Sequence, residues 1–287
     1  PKRAKIVFSA ADLLEKEKTR MFEFKYAKKG YVVISTSSAN RESDDVPMLI
    51  PEINHEHLDI LKVQQNNHHL PNSGFVVVKP NCSIQSYIFV LDALIKANYP
   101  INKIQVTTLQ ALSGAGYKAL SNNQFKNNVI PFISGEEEKT EIEPTKIFGS
   151  IKDNRIINNV NLNISATCTR VPIVDGHTAI VNISFANKKP SIQDFKEIIK
   201  SYISLPQILK LPSAPVQPIH ILDEMDRPQP KLDLNNDKGM ALSIGRIQKD
   251  LFFDIRFIGL SHNTLRGAAG GAILNAELLV KKKYISY

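Results

Sequence analysis

The chain contains 287 residues, 43% of them hydrophobic and 22% charged, an ordinary composition that provides enough apolar material for two domains or one large α/β unit. Its formal net charge of +8 suggests nucleic acid or a phosphorylated small molecule as a partner. The basic residues are scattered, however, and no basic stretch is interleaved with aromatic residues, so we expect no nucleic-acid partner.

The predicted elements begin with two buried strands separated by a charged helix. AKIVFS (4–9) and YVVIST (31–36) are short, β-branched-rich runs typical of a parallel sheet, and the helix between them extends to Lys29. FVVVK (75–79) is a third such strand, preceded by a helix that starts near His55. Strand, helix and strand in this order predict a βαβ unit of the nucleotide-binding kind.

The pattern changes in the second half of the chain. Apolar residues at helical spacing predict a helix from Ile84 to Ile95, followed by a strand over 103–108 and a tight loop at SGAG (113–116). TAIVNISF (178–185) alternates as a strand with one covered face does. A capping box at Ser191 predicts a helix, LFFDIRFIGL (251–260) a strand, and the small residues near the end a closely packed helix. We therefore expect a nucleotide-type α/β domain joined to an α+β domain.

Two interpretations of Cys82 stand side by side. In KPNCSIQS it follows a strand and precedes a helix, where N–H groups and the helix dipole would lower the thiol pKa and favour a nucleophile. Equally, Cys82 could be a small buried hydrophobic residue, because free cysteine is among the most buried residue types. Cys168, inside ISATCTRVP, has the features of strand filler.

A cysteine nucleophile needs an acid/base partner, usually histidine. His177 stands behind a glycine at the entry to a strand, and local context alone favours a turn-stabilising role over a catalytic one. GEEEK (135–139) is either a solvated helix face or a carboxylate and an ammonium group on one face of a helix. SGAG would let backbone approach a ligand closely, although such loops are usually simple turns.

Cysteine usage and hydropathy set the expected location. Two cysteines do not make a disulfide framework, and no Cys-x-x-Cys indicates zinc, so no metal site is predicted. No apolar run approaches the roughly 20 residues that span a bilayer. We expect a cytoplasmic protein with no membrane partner.

Taken together, a series of motifs is far more specific than any one of them. PNCS, TLQALSGAGY, NNVIPFISGEEEK, EPTKIFG, TCTRVPIVDGHT, RPQPKLD, GMALSIGRI and SHNTLRGAAGGAILNAELL occur in this order. The series resembles aspartate-semialdehyde dehydrogenase of the archaeal and fungal branch, nearly continuously from Ala4 to Leu279. The resemblance implies a partial Rossmann-type dinucleotide-binding domain (1–81 with 262–287), a mixed-sheet catalytic and dimerisation domain (82–261), and a homodimer or homotetramer.

The resemblance also implies a reaction. Cys82 is the implied nucleophile, which attacks aspartyl phosphate, expels phosphate and leaves a thioester that NADPH reduces to aspartate semialdehyde, in the biosynthesis of lysine, methionine, threonine and isoleucine. His177 falls on the acid/base histidine, and Gln110 falls on the glutamine that orients the reacting group.

Substrate and cofactor contacts are implied in the same way. Arg170 would bind the substrate carboxylate, Glu136 the α-amino group, and Lys139 the phosphate side. Arg41 would bind phosphate, and Asn81 phosphate or the oxyanion. The implied NADP contacts are Ser9, Ala10, Ser38, Gly114 and Asn263.

One departure from the family concerns the cofactor. Family members begin with a Gly-x-x-Gly-x-x-Gly turn that holds the dinucleotide phosphates, but no glycine precedes Gly30 here. We therefore expect the glycine-rich NADP-binding turn to be absent from this sequence. Two alternatives follow: an acyl-CoA reductase of the malonyl-CoA type on the same scaffold, or an impaired dimerisation or binding module without a working cofactor loop.

Overall fold

A parallel sheet and a mixed sheet form the framework of the chain, of which the computed structural model describes residues 4–11, 13 and 15–285. The parallel sheet has the order β1–β2–β3, the mixed sheet has the order β7–β4–β8–β11–β10–β9, and β5 pairs with β6 in a hairpin. The predicted combination of an α/β part and an α+β part is confirmed. The strands are β1 (Ile6–Ser9), β2 (Val32–Ser35), β3 (Phe75–Val78), β4 (Ile101–Gln110), β5 (Ser150–Lys152), β6 (Arg155–Ile157), β7 (Asn163–Arg170), β8 (His177–Phe185), β9 (Ile219–Leu222), β10 (Leu242–Lys249) and β11 (Ile255–Ser261).

Helices cover these sheets and connect their strands. Short 3₁₀ helices lie at His55–Ile60, Ser83–Ser86, Leu112–Ala115, Asn123–Phe125 and Asn236–Gly239, and a π-helical turn lies at Leu265–Ala269. The α-helices are α1 (Lys16–Ala27), α2 (Leu61–Asn67), α3 (Ile88–Lys96), α4 (Tyr117–Leu120), α5 (Glu136–Ile147), α6 (Ile192–Lys200), α7 (Leu205–Ile208), α8 (Pro230–Asp233) and α9 (Gly270–Lys281).

The parallel sheet is covered on both faces, as its near-continuous apolar strands predict. Val33 and Val76 belong to the core cluster that includes Phe24 of α1, whereas Ile34 and Val77 pack in a cluster with α9. The edge strand β1 differs from the prediction. The pattern of AKIVFS predicts a buried strand, but the Phe8 side chain is 53% exposed, because β1 pairs only with β2 in the described part of the chain and so lacks a neighbour on its other side.

The mixed sheet has one buried face. Strands β4 and β8 alternate buried and more exposed residues, which confirms the prediction of a strand with one covered face. The buried face packs against α3 and α6, where the rings of Phe195 and Phe257 lie 6.1 Å apart. The capping box at Ser191 is present and begins α6, as predicted.

Two predicted elements begin later than expected. The helix after Cys82 is broken into a 3₁₀ turn and α3, because Tyr87 between them has the non-helical dihedrals φ −150° and ψ −19°. The strand predicted over 251–260 starts only at Ile255, because the Asp250 carboxylate accepts the backbone N–H groups of Phe252 and Phe253 and holds a turn there. Apolar residues in a turn carry the same β-like composition as residues in a strand.

None of the described helices is both long and apolar enough to cross a membrane. The predicted domain boundaries remain predictions, and residues 1–3 and 286–287 within them lie outside the described residues.

Candidate active site

The candidate site lies where the edges of the two sheets meet. Strands β4 and β7 are parallel and end side by side, so that Gln110 pairs with Arg170. Strand β8 is antiparallel to β4 and begins at the same edge with His177. In the parallel sheet, β3 ends at Val78, and the chain turns through Pro80 to Cys82. Residues that are distant in sequence are thereby brought to one place.

Cys82 and His177 are in direct contact. The Sγ atom of Cys82 lies 3.3 Å from Nε2 of His177. The other ring nitrogen, Nδ1, accepts the backbone N–H of Ala111 at 3.0 Å. A ring nitrogen that accepts a hydrogen bond carries no proton, so the neutral imidazole holds its proton on Nε2, facing the sulfur.

Burial keeps this pair uncharged in the ligand-free protein. Burial, reinforced by the positive charge of Arg170, lowers the pKa of His177 to about 3. Burial, reinforced by the negative charge of Glu136, raises the pKa of Cys82 to about 11. The predicted lowering of the Cys82 pKa by a helix N-terminus is therefore wrong. The 3₁₀ turn after Cys82 has four residues, too few to build a substantial dipole.

Glu136 connects the predicted substrate residues. Its carboxylate accepts hydrogen bonds from Nζ of Lys139 at 2.9 Å, Nδ2 of Asn81 at 2.8 Å and Nε2 of Gln110 at 3.2 Å. Burial favours a higher pKa for Glu136, but the hydrogen bond and charge of Lys139, with the two amide donors, outweigh it and lower the pKa. The carboxylate is thus held ionised in a mostly buried place.

Arg170 and His177 lie beneath the SGAG loop. Nη1 of Arg170 donates to the carbonyl of Ala111 at 2.8 Å. A Cβ placed on Gly114 would come within 2.9 Å of Cε1 of His177 and 3.0 Å of Nη1 of Arg170. Glycine at 114 therefore lets the loop backbone rest directly on both side chains, as the sequence suggested for a ligand-approaching loop.

Arg41 lines the same cleft as Ser113 and Gly114 of the SGAG loop. Its Nη1 donates to Oε1 of Glu143 at 2.8 Å and its Nη2 to the carbonyl of Thr36 at 3.0 Å. Arg41 and Lys139 line the same cleft as Cys82, with a volume of about 390 Å³. Two cationic side chains, each paired with a glutamate, therefore line the cleft that contains the sulfur.

The predicted cofactor contacts divide into two groups. Ala10, Ser38, Gly114 and Asn263 line the cleft beside Cys82. Ser9 is buried, and its hydroxyl donates to Glu23 at 2.7 Å.

Glu23 and Asn263 organise the walls of this cleft. The buried Glu23 also accepts Ser35 Oγ and Nδ2 of Asn40, and so fixes the loop that carries Ser38. The Asn263 side chain donates to Ser113 Oγ at 2.7 Å and accepts the Gly176 N–H at 2.8 Å, which links the SGAG loop to the turn before His177.

Sequence reasoning did not assign two residues that touch the site. One is Glu143, which contacts Arg41. Its place in the site could have been found from the helical spacing of Glu136, Lys139, Glu143 and Lys146, which puts all four on one face of α5. Gly267 lies against the nucleophile candidate, since a Cβ there would be 2.5 Å from the Cβ of Cys82. The stretch of small residues before α9 is the sequence feature that could have indicated this close approach.

Family comparisons place both parts of the chain in one class of enzyme. The family model described as "Semialdehyde dehydrogenase, NAD binding domain" matches residues 1–61, and the one described as "Semialdehyde dehydrogenase, dimerisation domain" matches residues 91–266. The fold thus defines a semialdehyde dehydrogenase with a nucleotide-binding part and a dimerisation part.

Individual relatives narrow the class. An aspartate-semialdehyde dehydrogenase of Archaeoglobus fulgidus is 42% identical over 98% of this chain and 78% of its own length, and that of Schizosaccharomyces pombe is 43% identical over 88% and 71%. The crystal structure of the Candida albicans enzyme with NADP superposes with a TM-score of 0.86 at 36% identity, over 98% of this chain and 78% of that one. The chain belongs to the aspartate-semialdehyde dehydrogenase family.

Proposed function

We propose that this chain catalyses the NADP-dependent reductive dephosphorylation of L-4-aspartyl phosphate to L-aspartate 4-semialdehyde, a step in the biosynthesis of lysine, methionine, threonine and isoleucine. Family membership supports the reaction class. The observation that carries the chemistry is the 3.3 Å contact between Sγ of Cys82 and Nε2 of His177, beside a cleft whose lining includes Arg41 and Lys139.

The residues around the cleft fit the reacting end of a dinucleotide. The cleft opens at the carboxyl ends of β1 and β2, where nucleotides bind in open parallel sheets. Its walls include small residues, Ala10, Ser38 and Gly114, which leave room for a flat ring near the sulfur. Bound NADPH supplies the hydride that reduces the acyl group.

Cys82 is the proposed nucleophile. Its sulfur bonds to the acyl carbon of aspartyl phosphate, the bond from that carbon to the phosphate oxygen breaks, and a thioester is left. A thiol with a pKa of about 11 keeps its proton at neutral pH. That proton leaves with the departing phosphate, whose trianion is a strong base.

His177 is the proposed acid/base group and acts from one atom. Because Nδ1 accepts the Ala111 N–H, the proton sits on Nε2 and points at the sulfur. From there it stabilises negative charge as it develops on the sulfur and on the acyl oxygen. When the bond between the reduced acyl carbon and the sulfur breaks, the sulfur keeps the electron pair as a thiolate beside the same N–H, and a proton taken up from solvent by way of His177 restores the thiol.

Each charged group of the substrate has a proposed partner in the site. Arg41 and Lys139 are placed to bind the phosphate, since both line the cleft. Arg170 would bind the α-carboxylate through the N–H groups that Ala111 does not occupy. The ionised Glu136 would bind the α-amino group. Gln110 and Asn81, which donate to Glu136, would orient the acyl group and stabilise its oxyanion.

The proposed reaction is tested in the reverse direction. Wild-type protein should form NADPH from aspartate semialdehyde and NADP only when inorganic phosphate is present, and Cys82→Ser should abolish this activity. Reduction of malonyl-CoA in preference to aspartyl phosphate would instead support an acyl-CoA reductase. If calorimetric titration detects no NADP binding, the proposal fails, and the result would support the alternative of an impaired dimerisation or binding module without a working cofactor loop.

We infer a homodimer formed through the open face of the mixed sheet, within the segment that matches the dimerisation family model. Outward residues of β4 and β8 are exposed or partly exposed, among them Gln105, Thr107 and Ile180, and Ile180 is 38% exposed. Light scattering should report twice the chain mass, and Ile180→Lys should shift the protein to the monomer. A tetramer or a wild-type monomer would contradict this inference. The cytoplasmic location stays a prediction.

A further inference from the structure

The motif EPTKIFG (143–149) has no role in the proposed reaction, yet its side chains reach the site. Glu143 lies two helical turns after Glu136 on the same face of α5 and is only 4% exposed. Its Oε1 accepts Nη1 of Arg41 at 2.8 Å, and its Oε2 accepts the backbone N–H of Asn81. One buried carboxylate therefore joins the residue before Cys82 to an arginine that lines the same cleft.

Lys146 fixes the same arginine from its backbone. Its Nζ donates to the carbonyls of Arg41 at 2.7 Å, Ser43 and Val46. The loop that carries Arg41 is thus tied to α5 through three carbonyls and one guanidinium.

Helix α5 is itself anchored beside Cys82. Pro144 has no N–H, so the carbonyl of Thr140 is not used in the helix and instead accepts the hydroxyl of Tyr87 at 3.4 Å. The helix, the turn after β3 and the Arg41 loop are therefore held as one unit, with Glu143 at the junction.

We propose that Glu143 is a positioning residue that sets the distance and orientation between the phosphate-binding Arg41 and the Asn81–Cys82 turn. The proposal rests on the proposed function, in which phosphate must leave toward Arg41 while the sulfur bonds to the acyl carbon. A carboxylate has two acceptor oxygens, and both are used here. An amide has one, so Glu143→Gln must release either Arg41 or the Asn81 N–H.

The direction in which Glu143→Gln changes phosphate affinity distinguishes a positioning role of Glu143 from a purely electrostatic one. Removal of a negative charge beside Arg41 would by itself strengthen the attraction for phosphate. Loss of orientation would weaken phosphate binding by about tenfold or more, the scale of a lost hydrogen bond to a charged group. We expect the weakening, with the KM for semialdehyde nearly unchanged.

A matched control lies on the same helix. Glu141 also accepts a backbone N–H, that of Ala166, at 2.9 Å, but it faces β7. Glu141→Gln should reproduce the general cost of losing a helical carboxylate without changing the KM for phosphate. Glu143→Asp, which keeps the charge and both oxygens on a shorter side chain, should recover part of the phosphate affinity.

The experiment measures steady-state kinetics with inorganic phosphate and calorimetric binding of phosphate, for wild type, Glu143→Gln, Arg41→Gln and the double variant. If Glu143 acts through Arg41, Glu143→Gln should add little to Arg41→Gln. Equal or tighter phosphate binding in Glu143→Gln, or full additivity, would overturn the inference alone. Phosphate binding without phosphate-dependent turnover in wild type would contradict the proposed function, while the binding data would still decide on Glu143. Absence of phosphate binding in wild type would overturn both.

Discussion

The reactivity of Cys82 gives a quantitative prediction for the ligand-free protein. Burial and the charge of Glu136 raise the pKa of Cys82 to about 11, from an ordinary value of 9.0. At pH 8 about one thiol in a thousand is then ionised, against about one in ten for the ordinary value, and only the thiolate reacts with alkylating agents. We therefore expect iodoacetamide to modify Cys82 roughly 100-fold more slowly than an unperturbed thiol.

The assay is alkylation at a series of pH values, followed by peptide mass spectrometry. The rate at Cys82 should rise about tenfold for each pH unit from about pH 6 to about pH 10, without a plateau. Mapping of peptides separates Cys82 from Cys168, which is fully buried and whose pKa is also raised, chiefly by burial. A plateau near neutral pH would show a preformed thiolate and would refute the argument that burial outweighs Arg41 and Arg170 at this sulfur.

Two further predictions concern the residues around the sulfur. Gly114→Ala should lower kcat/KM by about tenfold or more, because the added Cβ would lie 2.9 Å from the ring of His177. The melting temperature of this variant should change little. In the control Ala115→Ser, at an exposed position of the same loop, kcat/KM should also change little. A fully active Gly114→Ala would contradict the close approach. Stability should fall as the pH drops from about 6.5 toward about 3, because the unfolded chain then binds a proton at His177 that the folded chain, with a pKa of about 3, does not. At pH 5 the loss is on the order of 2 kcal/mol. Urea unfolding at pH 7 and pH 5 should show a larger loss in wild type than in His177→Gln, by about that amount, because burial also lowers the pKa of His57 in both proteins. Equal losses in both would argue against a buried neutral imidazole at 177.

The sequence predicted the elements whose environment is uniform along their length. Fully buried β2 and β3 and one-sided β8 have periodic patterns that match their burial, so their type and position follow from the pattern alone. The exposure of Phe8 could not be predicted from the pattern, because the exposure of an edge strand depends on which strands pair with it. Phe252 shows another, since a turn held by the Asp250 side chain has the composition of a strand.

The site was predictable as a set of residues and not as an electrostatic environment. Motif order pointed to Cys82 and His177, and the structure puts them 3.3 Å apart. The pKa of Cys82 depends on burial and on Glu136, which is 54 positions away in the chain, and neither is visible in KPNCSIQS. The double contact of Glu143 was likewise not predictable from local sequence, because Arg41 and Asn81 lie 102 and 62 residues before it in the chain.

One measurement tests, without any cofactor, whether Cys82 forms a thioester with the aspartyl group. The protein is mixed with freshly generated aspartyl phosphate in the absence of NADPH, quenched in acid and analysed by intact-mass and peptide mass spectrometry. We expect one aspartyl group per chain on the Cys82 peptide, one phosphate released per adduct, and neither in Cys82→Ser. Release of phosphate with no adduct, or an adduct on another residue, would contradict this expectation.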